Sequence, residues 1–145
     1  LFIEDGVKYM KDYAADRTQP RYDIIIVDST DPIGPATPLF GPDFYRDVSA
    51  CLTEDGIVVS QGESPYYNQD TQKSMAKILN GIFPVLRYLN FTNLTYPGGL
   101  WSFSFASKKY HPVRDFKGER VQASGLQFKY YSKELHTACF QLPQF

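Results

Sequence analysis

Cysteine and histidine are scarce in this chain, with two of each in 145 residues: Cys51, Cys139, His111 and His136. No CxxC pair is present, so a dithiol redox site or a thiolate-bound zinc has little to build on. Both cysteines are expected to be reduced, buried small hydrophobes, and both histidines to be structural. A basic excess is also missing. The 15 Lys and Arg against 16 Asp and Glu leave a formal charge of -1. Nucleic-acid binding needs clustered cations to neutralise phosphates, so that class is excluded. No apolar run reaches the ~20 residues of a membrane helix. Internal repeats and low-complexity tracts are absent. A start methionine is lacking too. With Leu1 opening on an apolar stretch, the chain reads as a piece of a longer protein, and a leader upstream is left open. Sequons at Asn90 and Asn93 fall in a stretch that reads as a strand, so they are chance matches.

What is present suits one compact domain: 43% of residues are hydrophobic and 16% aromatic, enough to bury a core. Residues 1–4 read as a strand end, Asp5-Gly6 as a turn, and 7–14 as a short helix from the spacing of Val7, Met10 and Tyr13. Ile24-Ile25-Ile26-Val27 is apolar on both faces, the pattern of a central parallel strand covered by helices on each side. Residues 29–42 hold four prolines and two glycines and read as an irregular loop. Residues 42–52 read as a helix, Asp55-Gly56 as a turn, and 57–59 as a buried strand. Residues 70–83 read as a helix with Met75, Ile78, Leu79 and Ile82 on its apolar stripe. Stretches 85–94 and 100–107 should pair antiparallel across Tyr96-Pro97-Gly98-Gly99. Beyond Lys108 the pattern weakens to an aromatic run (Phe128, Tyr130, Tyr131) and a short helix near 132–138. Strands alternating with helices, then a closing hairpin, predict an open α/β sheet.

In such a sheet, ligands gather beyond the carboxyl ends of the strands. Three polar clusters fall at such ends: Glu4-Asp5-Gly6, Asp28-Ser29-Thr30-Asp31 and Gln61-Gly62-Glu63. All three are expected on one edge. Asp28 follows four aliphatic residues, so its carboxylate is expected to be partly desolvated and a competent proton acceptor. Asp31, three residues on, can face the same cavity. Two close carboxylates attract a cation, either an amine or a metal. With no histidine nearby a transition metal is disfavoured, while magnesium stays compatible. Turn and cap chemistry would also explain Asp-x-x-Asp before proline, and a turn alone would explain Asp5-Gly6. The Tyr96 connection reads equally as a hairpin turn or a substrate loop. Trp101 reads as core or pocket wall, and Tyr66 and Tyr67 as surface or lid.

Residues 22–36, Tyr-Asp-Ile-Ile-Ile-Val-Asp-Ser-Thr-Asp-Pro-Ile-Gly-Pro-Ala, resemble the signature of spermidine synthases. Leu39-Phe40, Phe44-Tyr45, Glu54-Asp55-Gly56, Gln61-Gly62-Glu63-Ser64, Phe83-Pro84 and Thr95-Tyr96-Pro97-Gly98-Gly99 agree in order and spacing. Lys129-Tyr130-Tyr131, His136 and Leu142-Pro143 are similar too, so the resemblance spans essentially the whole chain. It implies a Rossmann-like α/β sheet of the S-adenosylmethionine-methyltransferase type, with an antiparallel C-terminal hairpin and incomplete at its N-terminus. Residues 1–145 would form the C-terminal part of the catalytic domain. The family's glycine-rich nucleotide loop and N-terminal β-domain would precede Leu1, so this chain alone is expected to be inactive.

The resemblance further implies aminopropyl transfer from decarboxylated S-adenosylmethionine, a co-substrate and not a cofactor, to putrescine. The products would be spermidine and methylthioadenosine. In that reading Asp28 is the catalytic proton acceptor. Asp28, Ser29, Thr30, Asp31, Gln61 and Tyr96 contact the amine, with Asp31 holding its far ammonium and Trp101 closing the far end. Asp5 and Gly6 bind the adenine end of the nucleoside, and Asp28, Pro35 and Ala36 complete that site. No metal, nucleic-acid or membrane partner is implied, whereas a dimer or tetramer and a cytoplasmic location are. Three alternatives stay open: another acceptor (agmatine, cadaverine or spermidine), a methyltransferase on the same fold, and a non-catalytic polyamine binder.

Overall fold

The computed structural model describes residues 2–96 and 98–142. Leu1, Pro97 and Pro143, which belong to the patterns above, lie outside the described residues. Residues 2–4 form no strand, and Phe2 and Ile3 are exposed. A strand is held by a neighbour's backbone groups, and none pairs with this stretch among the described residues. Asp5 is a helix cap and not a turn residue. Its Oδ1 accepts from the backbone N–H groups of Val7 and Lys8 at 2.9 and 3.1 Å, satisfying two of the free donors that open α1 (Gly6–Ala15).

Strand β1 (Tyr22–Val27) runs parallel to β2 (Leu52–Gln61). Between the pairs Tyr22↔Leu52 and Ile24↔Ile57, β2 carries extra residues, so Asp55-Gly56 is absorbed as a bulge inside one strand. Glycine is needed there, because a Cβ on Gly56 would lie 2.7 Å from the Leu52 Cβ. The proline-rich stretch after β1 is not wholly irregular. It winds into a 3-10 helix, Gly34–Phe40, with proline in the first turn, where a missing N–H costs no bond. Helices α2 (Pro42–Cys51) and α3 (Gln69–Asn80) follow as the periodicity predicts. Strands β3 (Val85–Thr92) and β4 (Leu100–Ser107) form the expected antiparallel pair, and α4 (Glu119–Ala123), unforeseen, and α5 (Lys133–Cys139) end the chain.

The strand order is β1-β2-β4-β3. The last strand thus inserts between β2 and β3, antiparallel to both. Val48, Cys51, Val58, Met75, Leu79 and Ala106 are almost fully buried where α1, α2 and α3 pack on one face of the sheet. The opposite face is covered only in part. Phe140, just past α5, stands edge-on to Phe105 at 6.1 Å, but Ile24 and Ile26 remain 59% and 73% exposed. Among the described residues β1 is therefore an edge strand with one open face, and the expectation of a central strand covered on both sides fails because no second layer of these residues lies over it. No helix among the described residues is long and apolar enough to cross a membrane.

Candidate active site

Parallel pairing puts the carboxyl ends of β1 and β2 on one edge of the sheet. Because β4 runs the other way, its first residues and the last residues of β3 arrive at that same edge. Side chains alternate faces along a strand. Ile24 and Ile26 point away from the helices, and the alternation carries Asp28 to the same side. Gln61 pairs with Phe103, and Phe91 with Trp101.

A cavity of about 600 Å³ opens at this edge. Its acidic wall is Asp28, Ser29, Thr30 and Asp31; Gln61 stands at the side; Tyr96 and Trp101 face them. All seven residues assigned to amine contact on the sequence thus line one cavity. Asp28 and Asp31 are exposed, which corrects the expectation of a desolvated Asp28: the face of β1 over which it projects carries no second layer among the described residues. Trp101 is 8% exposed, and its ring lies 4.7 Å from that of Tyr96. Phe91 stacks on Phe103 at 4.7 Å and 10°, making an apolar floor.

The nucleoside residues lie elsewhere. Asp5 and Gly6 open α1, and Pro35 and Ala36 sit in the 3-10 helix; none of the four lines this cavity. Of the three polar clusters, those after β1 and β2 share the edge. Glu4-Asp5-Gly6 follows no strand.

Ile33, Phe91, Asn93 and Phe103 also line the cavity and were not singled out on the sequence. Aromatic residues alternating on a strand read as core; only the register with Gln61 reveals them as a wall. On the sequence Glu63 stands in a polar cluster and in the Gln61-Gly62-Glu63-Ser64 motif, with no role of its own. It is fully buried, adopts φ +64°, and its Oε1 accepts from Gln61 Nε2 at 2.9 Å. Burial pushes its carboxyl above the usual range; the Gln61 hydrogen bond opposes that shift, and the Asp31 charge adds to it.

The remaining candidates are structural. His111 Nδ1 accepts from the backbone N–H groups of Val113 and Arg114 at 3.2 and 3.1 Å. His136 lies between Tyr131 Oη and the Pro112 carbonyl, stacked on Phe116. Cys51 and Cys139 are both free; Cys51 is buried but Cys139 only partly so, since its short helix caps the sheet loosely. Tyr66 and Tyr67 are exposed. Tyr67 lies over Gly98, where a Cβ would come within 2.4 Å of its ring.

A model of the spermine/spermidine synthase domain matches residues 1–117. The polyamine aminopropyltransferase of Clostridium beijerinckii is 45% identical over all of this chain, which covers 50% of that relative. That of Caldicellulosiruptor bescii is 46% identical, again over all of this chain and 49% of the relative. Among solved structures, a spermidine synthase in complex with the transition-state analogue AdoDATO superposes with a TM-score of 0.89 at 36% identity, over 98% of this chain and 47% of that one. Spermidine synthase from Thermotoga maritima gives 0.85 at 35% identity, over 97% and 46%. The chain thus spans about half the length of the relatives it matches.

Proposed function

Because the chain belongs to the spermine/spermidine synthase family, we propose that the cavity over Asp28 and Asp31 binds putrescine and presents it to decarboxylated S-adenosylmethionine. The observation that carries this reading is the convergence of Asp28, Asp31 and Gln61 on one cavity walled by Tyr96 and Trp101. A site with two carboxylates and no cation among its lining residues suits a dication.

A primary amine is protonated near neutral pH and has no lone pair to attack with. Asp28 takes one proton from the near ammonium. The freed lone pair then attacks the aminopropyl carbon bound to the sulfonium sulfur. A C–N bond forms as the C–S bond breaks, and the sulfur leaves with the bonding pair as neutral methylthioadenosine. No covalent intermediate with the protein is needed, so rate gain comes from positioning and deprotonation. Asp31 pairs with the far ammonium and acts as a length gauge. Ser29, Thr30, Gln61 and Tyr96 supply polar contacts, and Trp101 closes the end of the site against longer amines. Asp5, Gly6, Pro35 and Ala36 serve the nucleoside half. Asp5 spends one oxygen on capping α1 and offers the other to the ligand. A homodimer or homotetramer and a cytoplasmic setting belong to the same reading.

The test is an acceptor panel with the protein expressed from its natural reading frame. Putrescine, cadaverine, agmatine and spermidine are each supplied with decarboxylated or ordinary S-adenosylmethionine. The expected result is methylthioadenosine and spermidine in equal amounts from putrescine and the decarboxylated donor. Methyl transfer from the ordinary donor, or putrescine binding without methylthioadenosine, would overturn it. Trp101→Ala is expected to admit spermidine as an acceptor; continued refusal removes Trp101 from the selectivity argument.

A further inference from the structure

Glu63 stands just behind the cavity in an arrangement that structure alone does not favour. Its side chain is fully buried, and Oε2 has no hydrogen-bond partner among the described residues. A buried carboxylate oxygen without a partner is destabilising. The backbone adds strain, because φ +64° is a left-handed conformation that a residue with a side chain adopts only when its surroundings impose it. The surroundings here do so. The Glu63 carbonyl accepts from Ser102 N at 3.0 Å and Ser102 Oγ at 2.8 Å. The preceding Gly62 donates its N–H to the Ser102 carbonyl at 2.9 Å, and its own carbonyl accepts from Gln72 Nε2 at 3.2 Å. The corner after β2 is clamped from β4 and α3, and the clamp holds a costly side chain in one place.

What that side chain does is visible at Gln61. Gln61 is 8% exposed and lines the cavity. Its Nε2 donates to Glu63 Oε1 at 2.9 Å, while its Oε1 is buried with no partner among the described residues. An amide offers a carbonyl on one side and an NH2 on the other, and a half-turn exchanges them. An ionised carboxylate only accepts. It therefore admits one of the two orientations and rejects the other.

We propose that Glu63 is a positioning residue for the amine site: by accepting the Gln61 N–H it fixes the amide so that the carbonyl oxygen, and not the NH2 group, is the atom left without a protein partner among the described residues to accept from the cationic amine. This rests on the reading that the cavity takes a diamine. With the amide reversed, NH2 hydrogens would meet ammonium hydrogens, and the contact would turn repulsive.

The experiment pairs Glu63→Gln with the double exchange Gln61→Glu, Glu63→Gln, each measured against wild type in the protein expressed from its natural reading frame. Glutamine at 63 keeps the shape but can donate as well as accept, so it releases the Gln61 amide to turn. In the double variant, residue 63 donates to a carboxylate at 61, whose second oxygen faces the amine. For Glu63→Gln the expected outcome is a KM for putrescine raised about tenfold, the loss of one hydrogen bond to a charged group, with kcat kept within about threefold. The double exchange should bring KM back to within about threefold of wild type.

An unchanged KM in Glu63→Gln, or no recovery in the double exchange, overturns the proposal. So does a parallel loss of kcat and melting temperature, the signature of a merely structural residue. Calorimetric titration of putrescine without donor separates the two readings. If the transfer reaction is misassigned but the amine site is not, Glu63→Gln still weakens putrescine binding by the same factor.

Discussion

Two carboxylates of opposite character meet at the site. Asp31 is exposed and lines the cavity, whereas Glu63 is buried behind it. Asp31→Asn keeps the shape and removes the charge proposed to hold the far ammonium. Its KM for putrescine is expected to rise by an order of magnitude with kcat little changed, and steady-state kinetics read this directly. If KM stays put, Asp31 is not the length gauge. Glu63 has a pH signature as well. Burial, with the Asp31 charge, holds its folded-state pKa above the unfolded value against the opposing Gln61 hydrogen bond. The folded chain therefore binds the proton more tightly. The stability this supplies is complete below the ordinary carboxylate range and is lost as pH rises through the raised value. Glu63→Gln, neutral throughout, removes that loss. Its melting temperature is expected to exceed wild type at pH 8 and to match it near pH 4. A lower melting temperature at pH 8 contradicts the sign.

At the scale of elements, the antiparallel pairing of β2 with β4 decides where Gln61 and Glu63 stand. A Cβ on Gly62 would lie 2.8 Å from Ser102 Oγ, 3.0 Å from Ser104 N and 3.1 Å from Phe103 C. Two of those atoms are backbone and cannot swing aside. Gly62→Ala is expected to destabilise by about 1–3 kcal/mol and to lower the melting temperature; an unchanged transition shows that the strands can part there. This corner also marks the limit of reading the chain by pattern. Helices α1, α2 and α3 and the β3–β4 pair were legible because apolar residues recur at helical or alternating spacing. Asp55-Gly56 reads as a turn by composition, yet pairing with β1 tolerates the extra residues as a bulge. The prolines after β1 read as a loop, yet Pro35 sits in the first turn of a 3-10 helix and Pro38 lies inside it. Phe91 and Phe103 carry no chemical label that distinguishes a cavity wall from a core. Asp28, Asp31, Gln61 and Tyr96 were legible because polar residues directly after strands and in the hairpin connection have one edge to go to.

For the whole molecule, the sheet is packed by helices on one face and left partly open on the other. Ile24 and Ile26 on the edge strand, and Phe2 and Ile3 ahead of α1, are strongly exposed. Apolar side chains and an unpaired strand edge together favour association. The 145-residue chain is therefore expected to self-associate as its concentration rises, and Ile24→Lys to reduce this in light scattering; indifference to the substitution would place the contact elsewhere. Asp28 projects on that same side of the described sheet. The claim on which the rest depends is that Asp28 removes a proton from the attacking amine, and Asp28→Asn examines it most directly. General-base removal lowers turnover by about 10²–10⁴-fold. Methylthioadenosine release from putrescine and decarboxylated S-adenosylmethionine should fall by that factor in Asp28→Asn while the protein still folds. Release at a near-wild-type rate would show that another group takes the proton.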